Sequence, residues 1–312
     1  MRNIRLTIAY DGTNYHGFQR QPEFHGPTIQ GTLEKVWQEV LGEEIRIFTA
    51  GRTDTGVHAA GQVVSFFSET RIPEEKIPKA FNSLLPRDIR ILAASSESDD
   101  FNARRSAKWK RYDYLIDNRP IPDVFKRLYA CHEPVALNVK NMQEAGKRLE
   151  GKHNFKAFAS AGGTSKTFER TLYLCRVELV EGPLQSMKSI ERKSGKIGQI
   201  GEIGKIGEIG SKQVSDKMRL TEGSARGLIR ITCIGDGFLY NMVRIIAGTL
   251  LEVGKGKISS ADIPAIIESQ DRKQSGETAP PHGLTLTYVH YGEENPRELF
   301  PLNAAPAKAL NN

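Results

Sequence analysis

Two runs of alternating apolar and polar residues, Ile45 to Thr49 and Gln62 to Phe67, bracket the stretch Ala50-Gly51-Arg52-Thr53-Asp54-Thr55-Gly56-Val57-His58-Ala59. Alternation with period two is strand patterning, so this stretch reads as a loop joining two strands, and any fold the chain adopts must present it there. Gly51 and Gly56 open backbone angles closed to other residues, and Thr53 and Thr55 can bond local amides, so the loop can be tight and fixed. Asp54 is then a carboxylate on a strand-flanked loop. Asp with Gly two residues on is equally the chemistry of an ordinary turn, and the residues alone leave both readings open.

Upstream, Ile4, Leu6, Ile8 and Tyr10 alternate as a half-buried strand that ends in the turn Asp11-Gly12-Thr13-Asn14. Tyr15, Phe18 and Gln19 to Gln21 follow, a set that could stack on bases and bond their edges, or simply pack at a strand end. Leu33, Val36, Trp37, Val40 and Leu41 have the spacing of an amphipathic helix that opens near Thr28 and stops at Gly42. Ile72 to Leu85 predicts a second helix despite Pro78, and Ile89 to Leu92 a strand. The order of elements suggests an α+β layer.

Arg104, Arg105, Lys108, Lys110 and Arg111 form the densest basic cluster, interleaved with Trp109, Tyr112 and Tyr114 on a predicted strand from Ser106 to Ile116. Cations with aromatic neighbours suit an RNA backbone and its bases, while a solvated strand face would look the same. Strand geometry puts Tyr112 and Tyr114 on one face and Arg111 and Asp113 on the other. Val139 to Leu149 is helical by periodicity. Phe155 and Phe158 read as core. His153 has no second ligand at metal spacing, so it is structural or contacts RNA. Ser160 to Thr167 lacks the glycine spacing of a phosphate loop.

From about Gly182 to Ser224 the character changes, and from Ile197 to Gly210 an Ile-Gly pair recurs every three residues, a period that fits neither helix nor strand; we read the stretch as a flexible or extended insertion between two strands. Strand alternation resumes from Gly227 to Ile234. A glycine turn then leads into a helix whose apolar face includes Met242, Ile245, Ile246 and Leu250. Arg244 at that helix start either snorkels to solvent or needs a carboxylate or phosphate partner. Ile263 to Ser269 gives a further helix, Leu284 and its neighbours a last strand, and residues past about 293 a loose tail.

With 312 residues, 38% hydrophobic, the chain can bury a proper core. Its net charge of +7 favours a polyanionic partner, though weakly. The three cysteines, Cys131, Cys175 and Cys233, are far apart and without CxxC spacing, so they indicate neither a disulfide framework nor zinc. Met1 to Arg5 runs directly into a strand pattern, and there is no membrane-length apolar run; we expect a cytoplasmic protein. A hydrolase or nucleotide enzyme built on Asp54 would want a second placed carboxylate, a metal set or a phosphate loop, and none is evident.

Arg52 to Ala59 with Gly61-Gln62-Val63 resembles the signature loop of the tRNA pseudouridine synthase A family. Further segments match in order: Tyr10-Asp11-Gly12, Tyr15, Gly17-Phe18-Gln19, Gln30, Ala103-Arg104, Arg111-Tyr112, His153 to Phe158, and Gly235-x-x-Phe238-Leu239-x-x-Met242-Val243-Arg244. Arg105 departs from the pattern, which usually has an aromatic residue there. The resemblance spans residues 3 to 291 apart from the insertion. It implies two α+β subdomains, 1–105 and 106–292, with a mixed, largely antiparallel sheet around a basic central cleft; the insertion at 182–224 lies in the second, and 293–312 is the tail. It implies a homodimer acting on tRNA, with no cofactor or metal, that isomerises uridines 38, 39 and 40 of the anticodon stem-loop. The catalytic residues it implies are Asp54, Tyr112 and Arg244, with Arg244 as the partner that keeps Asp54 ionised. Tyr112, Arg52, Arg104, Lys108, Lys110, Arg111 and His58 are the implied substrate contacts. A catalytically inactive tRNA-binding relative is the alternative.

Overall fold

The computed structural model describes residues 1–21, 26–180 and 224–300. In chain order the elements are β1 (Arg2–Tyr10), α1 (Ile29–Leu41), β2 (Phe48–Thr49), β3 (His58–Ser68), α2 (Ile77–Asn82), β4 (Ile89–Glu97), β5 (Trp109–Asp117), β6 (Cys131–His132), β7 (Leu137–Asn138), α3 (Val139–Leu149), β8 (Gly151–Asn154), β9 (Glu169–Val180), β10 (Ser224–Ala225), β11 (Leu228–Gly235), α4 (Met242–Gly254), α5 (Ile263–Ser269), β12 (Leu284–His290) and α6 (Pro296–Leu299). Ten strands join in one mixed sheet, ordered β4-β1-β3-β12-β5-β11-β9-β8, with β2 on β3 and β6 on β5. Its ladders are antiparallel except β12 on β3 and β6 on β5.

Local sequence accounts for much of this. The alternation of β1 puts Ile4, Leu6 and Ile8 into the core. Thr28 caps α1 by accepting from the Gly31 amide, and Gly42 ends the helix in the left-handed conformation with φ 66°. Trp37 of α1 then stacks on Phe81 of α2, ring centroids 4.3 Å apart, and meets Phe66 of β3 edge-on at 4.6 Å.

Other expectations need correction. The strand expected from Ile45 shrinks to Phe48–Thr49, because Glu43 instead ties the end of α1 to the end of β3: its carboxylate accepts from Ser68 Oγ, the Glu69 amide and Trp37 Nε1. Ile45 and Ile47 pack on the core without backbone pairing, so their alternation reports burial alone. The helix expected over Ile72 to Leu85 is a 3-10 turn followed by α2, with Pro78 in the first turn, where its missing N–H costs nothing. β3 begins at His58, inside the stretch read as loop, because His58 and Ala59 pair with Thr285 and Leu286 of β12.

β12 is the strand that joins the halves. Tyr112 of β5 lies opposite Leu286, and Leu286 opposite Ala59, so three strands set Tyr112 in register with the end of the Asp54 loop. Gly61 permits the close approach, since a Cβ there would stand 2.5 Å from the Thr287 carbonyl oxygen. One hydrophobic cluster runs from Ile4 through to Val289, crossing the 105/106 boundary. The insertion at 182–224, with its repeat, falls outside the described residues up to its last position, Ser224, which pairs with Asn138. Of the tail expected to be loose, 301–312 is outside the described residues, while Pro296–Leu299 forms α6 and Phe300 packs on Trp109.

Candidate active site

The Asp54 loop is fixed from behind by β1 and its turn. Tyr10 and Thr53 share a hydroxyl–hydroxyl hydrogen bond of 2.8 Å, and buried Gln62 donates from Nε2 to the Gly51 carbonyl at 2.6 Å. The Phe18 amide donates to the Thr53 carbonyl, and the Val57 amide donates back to the Asp54 carbonyl to close the turn. Gly12 lies so close that a Cβ would stand 2.0 Å from the Val57 carbonyl oxygen. A loop held through its own backbone leaves its side chains free to point outward. Asp54 does so, with 28% of its side chain accessible.

Arg244 reaches Asp54 from the first turn of α4. Its Nη1 is 3.5 Å from Asp54 Oδ2, a long contact that the same nitrogen shares with Asn241 Oδ1 at 2.8 Å, while Nε donates to the Ala279 carbonyl at 2.8 Å. Asn241 adopts φ 60° just before the helix, and its amide donates to Ser160 Oγ. The guanidinium is therefore aimed by two neutral partners. Burial pushes the Asp54 carboxyl up; the Arg244 charge and hydrogen bond pull it down but do not fully offset it, and the group sits above its ordinary value. The partner expected to hold Asp54 ionised acts in that direction, and desolvation outweighs it.

Tyr112 is buried against Phe238, edge-on with ring centroids 5.1 Å apart. A Cβ placed on Gly51 would be 3.3 Å from its hydroxyl oxygen, which puts the phenol tip against the Asp54 loop. That hydroxyl bonds to no described residue. Burial, then the charges of Tyr10 and Asp54, hold it well above the usual tyrosine range, so it is a phenol at neutral pH.

The predicted substrate contacts separate by face. Lys110 shares the Tyr112 face of β5, and its side chain also lies against Gly51. Arg52 and Arg104 are exposed, and neither forms an ion pair among the described residues. Arg111 forks onto Asp113 at 2.9 and 3.0 Å and stacks on Phe300, on the face of the sheet opposite Tyr112. Lys108 pairs with Glu293 at 2.7 Å, an exposed pair of little strength. His58 is buried, its Nδ1 accepting from the Gly12 amide and its Nε2 donating to the Leu128 carbonyl at 3.0 Å. A ring with both nitrogens engaged positions the loop. Tyr15 and Phe18, considered as stacking groups, are core residues; the Tyr15 hydroxyl donates to Asp88.

Asn241, Gln62 and Tyr10 escaped functional assignment from the sequence, although all three lie within or beside the quoted motifs. Polar side chains in otherwise apolar stretches were the available signal. Among the described residues, no three His, Cys, Asp or Glu side chains converge to hold a metal ion, and no helix is long and apolar enough to cross a membrane.

A family model described as tRNA pseudouridine synthase matches residues 6–104 and 145–292. Proteins named tRNA pseudouridine synthase A from Moorella thermoacetica and Acetivibrio thermocellus are each 40% identical to this chain, over 92% and 93% of it and 99% and 100% of their own lengths. The one from Ruminiclostridium cellulolyticum is 39% identical over 93% of this chain and all of its own. Matches of that extent, spanning the Asp54 loop at one end and Arg244 at the other, establish that this chain belongs to the tRNA pseudouridine synthase family.

Proposed function

We propose that the protein converts uridine to pseudouridine in the anticodon stem-loop of tRNA, at positions 38, 39 and 40, with Asp54 as the acting carboxylate. The observation that carries the reading is one outward-facing carboxylate on a clamped loop, 3.5 Å from a guanidinium and beside a buried tyrosine. The reaction breaks the N1–C1′ bond, turns the base and joins C5 to C1′, so the target must leave the stack and enter a pocket. An ionised carboxylate serves as nucleophile or as the base that starts elimination. Arg244 orients it. Tyr112 lies against the flipped uracil, and its hydroxyl, a phenol engaged by no described residue, can relay the C5 proton by accepting it as it passes its own proton to the Asp54 carboxylate or to water. Arg52, Arg104 and Lys110 meet phosphates; Arg111 and His58 hold the scaffold.

Two subdomains divided at 105/106 belong to the same reading, supported by Asp54 and Arg244 coming from opposite sides of that boundary. So do a cytoplasmic location and a homodimer, which the family resemblance supports and sedimentation equilibrium of the purified protein tests.

The activity is tested by tritium release from C5-labelled uridine in a tRNA transcript, comparing the native protein with Asp54→Asn. Release by the native protein alone, with pseudouridine mapped to the anticodon arm, is the expected result. Tight, salt-sensitive tRNA binding without release would leave an inactive tRNA-binding relative instead.

A further inference from the structure

Lys110 stands out among the basic residues. Its carbon chain packs on the Asp54 loop, with Cδ and Cε 3.6 and 3.7 Å from the point a Gly51 Cβ would occupy, the same point that lies 3.3 Å from the Tyr112 hydroxyl. It makes no ion pair among the described residues, although it is half-buried. Gly235 of β11 lies opposite Lys110, which brings the following Asp236, and Arg170 packed on Gly237, to the same end of the sheet, while Arg104 acts on Lys110 from the loop before β5. Arg52 and Asp54 lie on the loop it packs against, and Tyr112 is two residues along its own strand.

Arg170 spends its hydrogen bonds on neutral acceptors, Ser165 Oγ and the Thr167 and Glu169 carbonyls. Asp236 in turn accepts from the Thr171 amide through Oδ1. Three cations thus face one carboxylate that is already engaged. A cationic cluster with so little internal compensation favours an anion from outside.

We propose that Lys110, Arg104 and Arg170 form a seat for one backbone phosphate of the RNA strand beside the Asp54 loop, with Lys110 at its centre. The proposal rests on the RNA-modifying reading above. A phosphate fixed there would hold the strand while the target base lies against Tyr112. Arg170 comes from the stretch that follows Ser160–Thr167, which lacks the pattern of a nucleotide phosphate loop; here it would serve a phosphodiester instead.

Burial, with Arg104 and Arg170 nearby, pushes the Lys110 ammonium down to about 8, against an upward pull from Asp236. A phosphate beside it acts upward. Near pH 8.5, therefore, binding draws a proton onto Lys110, whereas well below pH 8 it is already charged and no uptake occurs.

The test is titration calorimetry of the full chain with tRNA transcript at pH 8.5 in two buffers of different ionisation enthalpy, together with KM, kcat and the salt dependence of binding. The variants are Lys110→Met and Lys110→Arg. We expect proton uptake in the native protein and in neither variant. Lys110→Met should raise KM roughly tenfold or more and reduce the slope of log K against log salt by about 1, with kcat nearly kept. Lys110→Arg should restore KM and the slope. Equal uptake in all three proteins, or a fall in kcat with KM unchanged that Arg does not rescue, would overturn the seat. A native protein that releases no tritium would instead remove the reading on which it rests.

Discussion

Asp54 is pulled in two directions, and the balance predicts a pH profile. Because burial outweighs Arg244, the acid limb of kcat/KM for the native protein should lie above the ordinary aspartate range. Arg244→Gln removes the downward pull, so the remaining activity should lose its acid limb at still higher pH; an unmoved limb would mean that Asp54 is not the group being titrated. Tyr112 allows a cleaner separation of chemistry from stability. Since its hydroxyl bonds to no described residue, Tyr112→Phe should change the unfolding free energy by less than about 1 kcal/mol. Tritium release should nevertheless fall by about 10²-fold if the hydroxyl takes part in proton transfer. At this scale the sequence was legible as far as residue type goes: a carboxylate in a glycine-flanked loop and an arginine at an apolar helix start stood out, and the structure sets them 3.5 Å apart. It was silent on which face of β5 meets the Asp54 loop. Strand alternation separates Lys110 from Arg111, but only the neighbouring strands decide which of the two looks inward.

Elements deliver these residues through close backbone approaches. α4 lies so near the segment before β12 that a Cβ on Gly248 would stand 1.8 Å from the Glu277 carbonyl oxygen. Two residues on, Ala279 accepts from Arg244, so one contact positions both the helix and its guanidinium. Gly248→Ala should cost about 3 kcal/mol through overpacking and lower Tm by several degrees, as read by thermal unfolding. Activity should fall further than the folded fraction does, because Arg244 is displaced with the helix. Helix starts and stops were readable at Thr28 and Gly42, whose capping chemistry is local. The start of β3 at His58 was not, because its partner in β12 is 227 residues later and nothing near His58 announces it.

At the scale of the whole molecule, β9 and β11 are antiparallel neighbours, Val180 lying opposite Leu228. The Ile-Gly stretch therefore connects strands that already pair. Replacing 183–222 with an eight-residue Gly-Ser linker should leave Tm unchanged or raise stability by about 1 kcal/mol through the smaller loop-closure entropy, and tritium release from tRNA should persist. Loss of folding would show that the stretch carries structure the strand pairing does not need. The sheet's own continuity was hidden from the sequence, since it depends on one strand reaching both halves. β12 follows every other strand in the chain yet sits between β3 and β5. A ribosome releases residues in order, so the first half emerges with one sheet edge unfilled and waits through the synthesis of nearly everything else. Until β12 slots in, Tyr112 has no fixed distance to Asp54, and a nascent chain can hold folded parts while it is still unable to position a uridine.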